Sequence, residues 1–196
     1  MPSLRDRAGQ RLEALLGPIV LALTRFEISP NQVTIAGLFV NLAAAWLVIR
    51  GDLFLAGAVY LLGSGFDLLD GMLARASNRV TAAGAYLDST LDRVSEGVVF
   101  AAIAYAFASQ GQAGDAGMVL LALLGSLLVG YTRARAEAMG IACKVGIATR
   151  PERIVLLAFG LITGWLAFAI YVLVVLTGIT VAQRIHVTLR GLAKRD

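Results

Sequence analysis

Cysteine is almost missing from this sequence. Cys143 stands alone, which rules out an internal disulfide and leaves a small residue near a loop. Histidine is as scarce: His186 has no matching partner and reads as an interfacial side chain rather than a catalyst. No low-complexity tract and no internal repeat interrupt the chain. The N-terminal stretch carries Arg5, Asp6, Arg7, Arg11 and Glu13 without a short apolar core ending in a cleavage site, so no cleavable leader is expected. Charge is thin, with Asp, Glu, Lys and Arg together making 15% of 196 residues.

What fills the space is apolar. Hydrophobic residues make up 58% of the chain, against about 45–50% by a similar count in soluble domains. That excess, gathered in long runs, predicts an all-α integral membrane protein. Six stretches can each span or nearly span ~30 Å of hydrocarbon: residues 30–49, 53–75, 83–108, 115–139, 150–164 and 165–190. The fifth is short, which suggests tight packing or a shifted depth. Ahead of them, Leu12, Leu15, Leu16, Ile19, Val20 and Leu23 recur at spacings of three and four, with Arg7, Gln10 and Arg11 on the polar side. This predicts an amphipathic helix lying on the membrane surface, bent at Pro18. Residues 1–28 therefore form an interfacial helix and residues 29–196 a six-helix transmembrane domain. Trp46, Trp165 and Tyr171 read as interfacial or packing aromatics.

The net charge of +4 conceals an asymmetry. With six spans both termini share one side, and sixteen of the seventeen Lys and Arg residues fall there; Arg50 alone falls on the other. The basic side is cytoplasmic by the positive-inside rule. Two helix starts are marked on it. Ser29-Pro30-Asn31-Gln32 offers a serine cap, proline at the first helical position and Gln three residues after the cap, and Thr149-Arg150-Pro151-Glu152 is similar.

The same side holds four aspartates within DLLDGMLARASNRVTAAGAYLDSTLD, residues 67–92. Asp67 and Asp70 are three apart and Asp88 and Asp92 four apart, so each pair lies on one helix face. Two antiparallel helices joined by a short turn can bring the faces together. Four carboxylates in one pocket cannot all stay ionised alone. Arg75 or Arg93 could supply some charge, and divalent ions more; oxygen-only ligands favour Mg²⁺, Mn²⁺ or Ca²⁺ over zinc. Gly71 and Gly84 remove a Cβ where a substrate could press, or serve helix packing. Intramembrane carboxylates also suit a cation transporter, although such sites usually lie near the bilayer midplane. A purely structural membrane protein explains neither the carboxylates nor the glycines.

The stretch reads D-x2-D-G-x2-A-R-x8-G-x3-D-x3-D, at Asp67, Asp70, Gly71, Ala74, Arg75, Gly84, Asp88 and Asp92. It resembles the signature of the CDP-alcohol phosphatidyltransferase family. The resemblance implies a transferase that moves a phosphatidyl group from a CDP-linked lipid, usually CDP-diacylglycerol, to an alcohol with release of CMP. It implies two divalent cations, Mg²⁺ or Mn²⁺, held by Asp67, Asp70 and Asp88 with Asp92 also close, and Asp92 as general base. It further implies nucleotide contacts from Pro30, Asn31, Gln32, Val33, Asp67, Gly71, Ala74, Arg75, Thr81 and Gly84. A homodimer in the cell membrane, with its active site facing the cytoplasm, is the assembly it suggests. No nucleic-acid partner is expected.

The acceptor must be read elsewhere. Arg133, Arg150, Arg153 and Arg184 stand near the cytoplasmic ends of three spans, and helix N-termini already favour anions. Guanidinium groups so placed suit a phosphorylated alcohol. YTRARAEAMG, VGIATRPERI and QRIH also resemble the branch of the family that makes phosphatidylinositol phosphate or its archaetidyl counterpart. Inositol phosphate is the expected acceptor, with glycerol 3-phosphate the main rival and serine a weaker one.

Overall fold

The computed structural model describes residues 16–195, which form seven helices with no strand among them. They are α1 (Leu16–Arg25), α2 (Pro30–Arg50), α3 (Leu53–Ala76), α4 (Ala82–Ser109), α5 (Ala113–Ala138), α6 (Arg150–Thr163) and α7 (Leu166–Leu192). The helix limits follow the six expected stretches closely. Of the expected surface helix, Leu12, Leu15 and the charged residues before them lie outside the described residues.

Four of the helices are long and apolar enough to cross a membrane: α2, α3, α5 and α7. Of the six expected spans, α4 and α6 depart for visible reasons. α4 runs for 28 residues, but its first fifteen carry Asp88, Asp92, Arg93 and Glu96. α6 has 14 residues, a rise of ~21 Å. The helices bear apolar side chains outward as well as inward; Leu120, Leu124, Phe168 and Val175 are each more than half exposed. Lipid is the solvent that suits such faces.

Local chemistry sets the ends. At the start of α2 the expected capping box forms: Gln32 N–H donates to Ser29 Oγ at 3.3 Å, and Ser29 N–H donates to Gln32 Oε1 at 2.8 Å. At α6 the similar sequence behaves differently. Thr149 gives its hydroxyl to the Glu152 carboxylate and makes no side-chain cap to the backbone. α6 stops at Gly164, whose φ of 77° is the left-handed conformation a glycine adopts without steric cost.

The chain divides into two compact units. The first holds α1, α2 up to Val40, α3 from Leu62 and α4 up to Ser95. Its core is Val20, Val33 and Leu73, backed by Leu23, Ile28 and Phe66. The second holds the rest of α2, α3 and α4 with α5, α6 and α7. Phe100, Ile103, Leu157, Leu161, Ile170 and Leu173 fill its main core, each almost wholly enclosed. Cys143 is buried beside Ala136 and Ile141 in a smaller cluster.

Within the second unit α5 packs on α7. They approach closely at Gly125: a Cβ there would stand 2.2 Å from Thr177 Oγ1 and 2.9 Å from Thr177 Cβ. Small residues let helices approach this way in membranes. Gly125→Ala should therefore cost about 1–3 kcal/mol through overpacking, read as a lower melting temperature of the purified protein. Adding Thr177→Ala should restore only part of the loss, because the Cβ contact persists. An unchanged melting temperature in Gly125→Ala would show that the two helices do not pack at this distance.

Candidate active site

The last turns of α3 and the first turns of α4 carry the aspartates. Between them, residues 77–81 make a tight reversal. Ser77 and Arg79 N–H donate to Leu73 O and Ala74 O, each at 2.9 Å. Asn78 takes a φ of 53°, a conformation to which asparagine is well suited. Thr81 caps α4, its hydroxyl accepting the Gly84 N–H at 3.0 Å. This turn brings α4 back beside α3. One carboxylate oxygen from each of Asp67, Asp70 and Asp88 then lies within 4.8 Å of the other two.

Three carboxylates this close repel one another, and Asp70 is only 4% exposed. Thr34 on α2, equally buried, donates its hydroxyl to Asp70 Oδ2 at 2.6 Å. That fixes the orientation of one carboxylate and satisfies one of its oxygens. The donor set is oxygen throughout and the spacing is close enough for a shared cation, so these residues could hold a hard divalent ion. Asp92 lies one turn beyond Asp88 on α4 and outside this close group of three.

Beside the triad a cavity of about 290 Å³ opens within the first unit. Its wall includes Pro30, Asn31, Gly71, Ala74, Arg75, Thr81 and Gly84, all expected nucleotide contacts, together with Asp70 and Asp88. Thr34, Arg79, Val80 and Ala85 complete it and had not been expected. Gln32, Val33 and Asp67 lie off the wall: Gln32 is engaged in the α2 capping box, Val33 is buried against the core, and Asp67 belongs to the carboxylate triad. The glycines differ in kind. A Cβ on Gly84 would press on Thr81 Oγ1 at 3.0 Å and Asn31 Oδ1 at 3.3 Å, whereas one on Gly71 would meet only Arg75 Nη1, at 3.5 Å.

The four expected acceptor arginines fall in the second unit. Arg184, 3% exposed, donates Nε–H to Val145 O at 3.0 Å and Nη1–H to Val129 O. Arg153, 7% exposed, meets Glu96: Nε lies 3.2 Å from Oε1 and Nη2 3.4 Å from Oε2. Ser126 on α5 also donates to Glu96 Oε1. Arg133 is exposed and pairs with Glu137 at 2.9 Å, within electrostatic reach of Arg184 as Arg153 is. Arg150, half-buried, opens α6. The connection before it is tied to α7 by Ala148 N–H, which donates to Thr180 Oγ1 at 3.0 Å. Sequence reasoning missed Thr34, Glu96 and Ser126. Glu96 alone had a signal, since it continues the four-residue spacing of Asp88 and Asp92.

Apolar helices with a carboxylate cluster and a mixed polar cavity define a multi-pass membrane protein with a site for a charged ligand. The chain belongs to the CDP-alcohol phosphatidyltransferase family, whose model matches residues 27–188. It is accordingly an enzyme, a transferase of phospholipid synthesis, and the transporter reading of the carboxylates falls away. The archaetidylinositol phosphate synthase of Methanothermobacter thermautotrophicus is 41% identical over 169 residues, covering 82% of this chain and 83% of that protein. The crystal structure of Mycobacterium tuberculosis phosphatidylinositol phosphate synthase with CDP-DAG bound has a TM-score of 0.81 and 33% identity, covering 87% of this chain and 92% of the other. The same mycobacterial enzyme in complex with manganese and citrate has a TM-score of 0.80 and 32% identity over 88% of each chain.

Thr34 gives this site a direct test. Hydrogen bonds to charged groups contribute about 1.5–3 kcal/mol, and about 1.4 kcal/mol is a factor of ten. Thr34→Val, nearly the same shape without the hydroxyl, should lower transferase turnover at least ~10-fold, while Thr34→Ser should stay near wild type. Release of CMP measures both. Full turnover in Thr34→Val would show that Asp70 needs no help from α2.

Proposed function

We infer that this transferase passes the phosphatidyl group of CDP-diacylglycerol to inositol phosphate, giving phosphatidylinositol phosphate and CMP. The observation that carries the acceptor reading is Arg184. It is a buried cation held by two backbone carbonyls, with no carboxylate paired to it among the described residues. A buried charge is costly until an opposite charge meets it, and the phosphate of an acceptor alcohol supplies two negative charges. The relatives named as making phosphatidylinositol phosphate and archaetidylinositol phosphate support the same choice.

On the donor side, Pro30, Asn31, Gly71, Ala74, Arg75, Thr81 and Gly84 enclose the cytidine nucleotide. Gln32 and Val33 act by holding the start of α2. Asp67, Asp70 and Asp88, with Asp92 as a further ligand, hold two divalent cations, Mg²⁺ or Mn²⁺. When bound, those cations supply charge neutralisation to the pyrophosphate and its CMP leaving group. Asp92 takes the proton of the acceptor hydroxyl as its oxygen attacks the phosphatidyl phosphorus. The new O–P bond forms, the pyrophosphate P–O bond breaks, and CMP departs with that electron pair. Arg153 and Arg184 hold the acceptor phosphate, with Arg133 and Arg150 nearby in the same unit.

The arrangement in the membrane follows from charge. All six helices from α2 to α7 cross the bilayer, α6 at a shifted depth, and both termini and the active site face the cytoplasm at the cell membrane. Sixteen of seventeen basic residues on that side are the support. Residues 29–196 form the catalytic domain, α1 ahead of it lies on the membrane surface, and the enzyme works as a homodimer.

Replacing Asp67, Asp70 or Asp88 by Asn should abolish transfer and weaken divalent-ion binding by calorimetry. Asp92→Asn should instead lower kcat by ~10²–10⁴-fold, the usual contribution of a general base, with a smaller change in donor KM. Wild-type activity in fully chelated buffer would sink the divalent-ion reading, and near-normal kcat in Asp92→Asn would remove the base. For the acceptor, purified enzyme with CDP-diacylglycerol and Mg²⁺ should release CMP with inositol phosphate and not with free inositol or serine. Arg184→Ala should raise the inositol phosphate KM at least ~10-fold, and Arg184→Lys should recover only part. If glycerol 3-phosphate proves the better acceptor, the product is phosphatidylglycerophosphate and the inositol reading fails.

A further inference from the structure

Glu96 has no part in the machinery described so far. It follows Asp92 by four residues on α4, one helical turn along the same face. Its side chain is 15% exposed and that of Arg153 8%. The two oxygens of Glu96 take one edge of the Arg153 guanidinium, Oε1 from Nε at 3.2 Å and Oε2 from Nη2 at 3.4 Å. Ser126 donates its hydroxyl to Oε1, so the carboxylate is fixed from α5. Arg153 Nη1 donates to Ala148 O at 3.3 Å, just ahead of α6.

A guanidinium carries five N–H donors in a rigid plane. Three are committed here, which leaves one on each terminal nitrogen. Burying an ion pair in this way seldom adds stability over apolar packing, so its presence calls for another role. It leaves Arg153 one orientation and cancels its charge within the second unit. Arg184 has carbonyls as its hydrogen-bond partners and no carboxylate in direct contact among the described residues.

The geometry points to Glu96 as a positioning residue for the acceptor site: fixed by Ser126, it holds Arg153 by one edge so that its two remaining N–H groups meet the acceptor phosphate in a set direction. Arg184 supplies the net positive charge and Arg153 supplies the direction. This rests on the reading that Arg153 and Arg184 bind the acceptor phosphate.

The test uses the full-length protein in lipid nanodiscs, with CDP-diacylglycerol, Mg²⁺ and inositol phosphate as the acceptor probe. Glu96→Gln keeps the shape but turns an amide N–H toward the guanidinium. It should raise the acceptor KM about 10-fold, with donor KM within about twofold of wild type. Ser126→Ala should raise the acceptor KM about threefold, because it only loosens Glu96, which keeps its own contact with Arg153. The double variant Glu96→Gln/Arg153→Ala should be no worse than Arg153→Ala alone, because Glu96 acts only through Arg153. A rise in acceptor KM for Arg153→Ala, with none for Glu96→Gln or Ser126→Ala, overturns the positioning role and leaves the acceptor reading standing. An unchanged acceptor KM in Arg153→Ala removes the acceptor reading and this inference with it. A fall in kcat with both KM values unchanged marks a structural role only and overturns the inference. Where Glu96→Gln does not fold, Ser126→Ala decides, since it leaves the ion pair in place.

Discussion

An ionised side chain held among apolar helices must find opposite charge or hydrogen-bond donors close by, or its desolvation outweighs what packing contributes. That constraint shapes both units of this enzyme. In the first, three carboxylate oxygens lie within 4.8 Å of one another, and Asp70 is almost fully enclosed. The Thr34 hydroxyl steadies one of them, but a neutral donor cannot cancel the repulsion among three anions. A hard divalent ion is a charge that such a cluster could hold. In the second unit the signs are reversed, and the buried Arg184 has backbone carbonyls as its hydrogen-bond partners. The carboxylate cluster thus lies in one unit and the two buried arginines in the other.

Helix ends do the positioning. The capping box at Ser29 and Gln32 fixes where α2 begins, and with it the register that sets Thr34 one turn in, beside Asp70. The 77–81 reversal, closed by Thr81 on Gly84, sets the register of α4 and so the height of Asp88. Neither device touches the chemistry. A one-residue slip in either would turn a ligand by about 100°, since a helix has 3.6 residues per turn, and would dismantle the triad. This explains why Gly84 and Thr81 belong to the cavity wall although their own hydrogen bonds are internal to the turn.

Much of this could be read from the sequence, and the division follows the range of the interactions. The six helices were legible because hydropathy is a local property summed over a window. The aspartate motif was legible because i, i+3 and i, i+4 spacings fix a shared face without any knowledge of the partner helix. The α2 cap was legible because all its atoms lie within four residues. Thr34, Ser126 and Glu96 were not read, since what gives each a role is a residue 36, 30 or 57 positions away. Thr149 and Glu152 mark the limit even of local rules: the sequence matches the capping pattern, yet the two side chains bond each other. The arginines were legible as a group through the positive-inside bias, which cannot tell a buried, carbonyl-bound Arg184 from an exposed Arg133 already paired with Glu137.

That difference bears on why arginine serves at these buried positions. Arg184 bonds two carbonyls, one within α5 and one in the connection to α6, from nitrogens of a single rigid plane. Three of its five N–H groups remain for a ligand. A lysine ammonium has three donors in all, and it loses its proton readily when buried, so it could not both tie two segments together and keep a dependable charge. Arg153 uses the same plane differently, with one edge bound to Glu96. Two buried residues of one type are thereby held in two ways, one by backbone carbonyls and the other along one edge by a carboxylate.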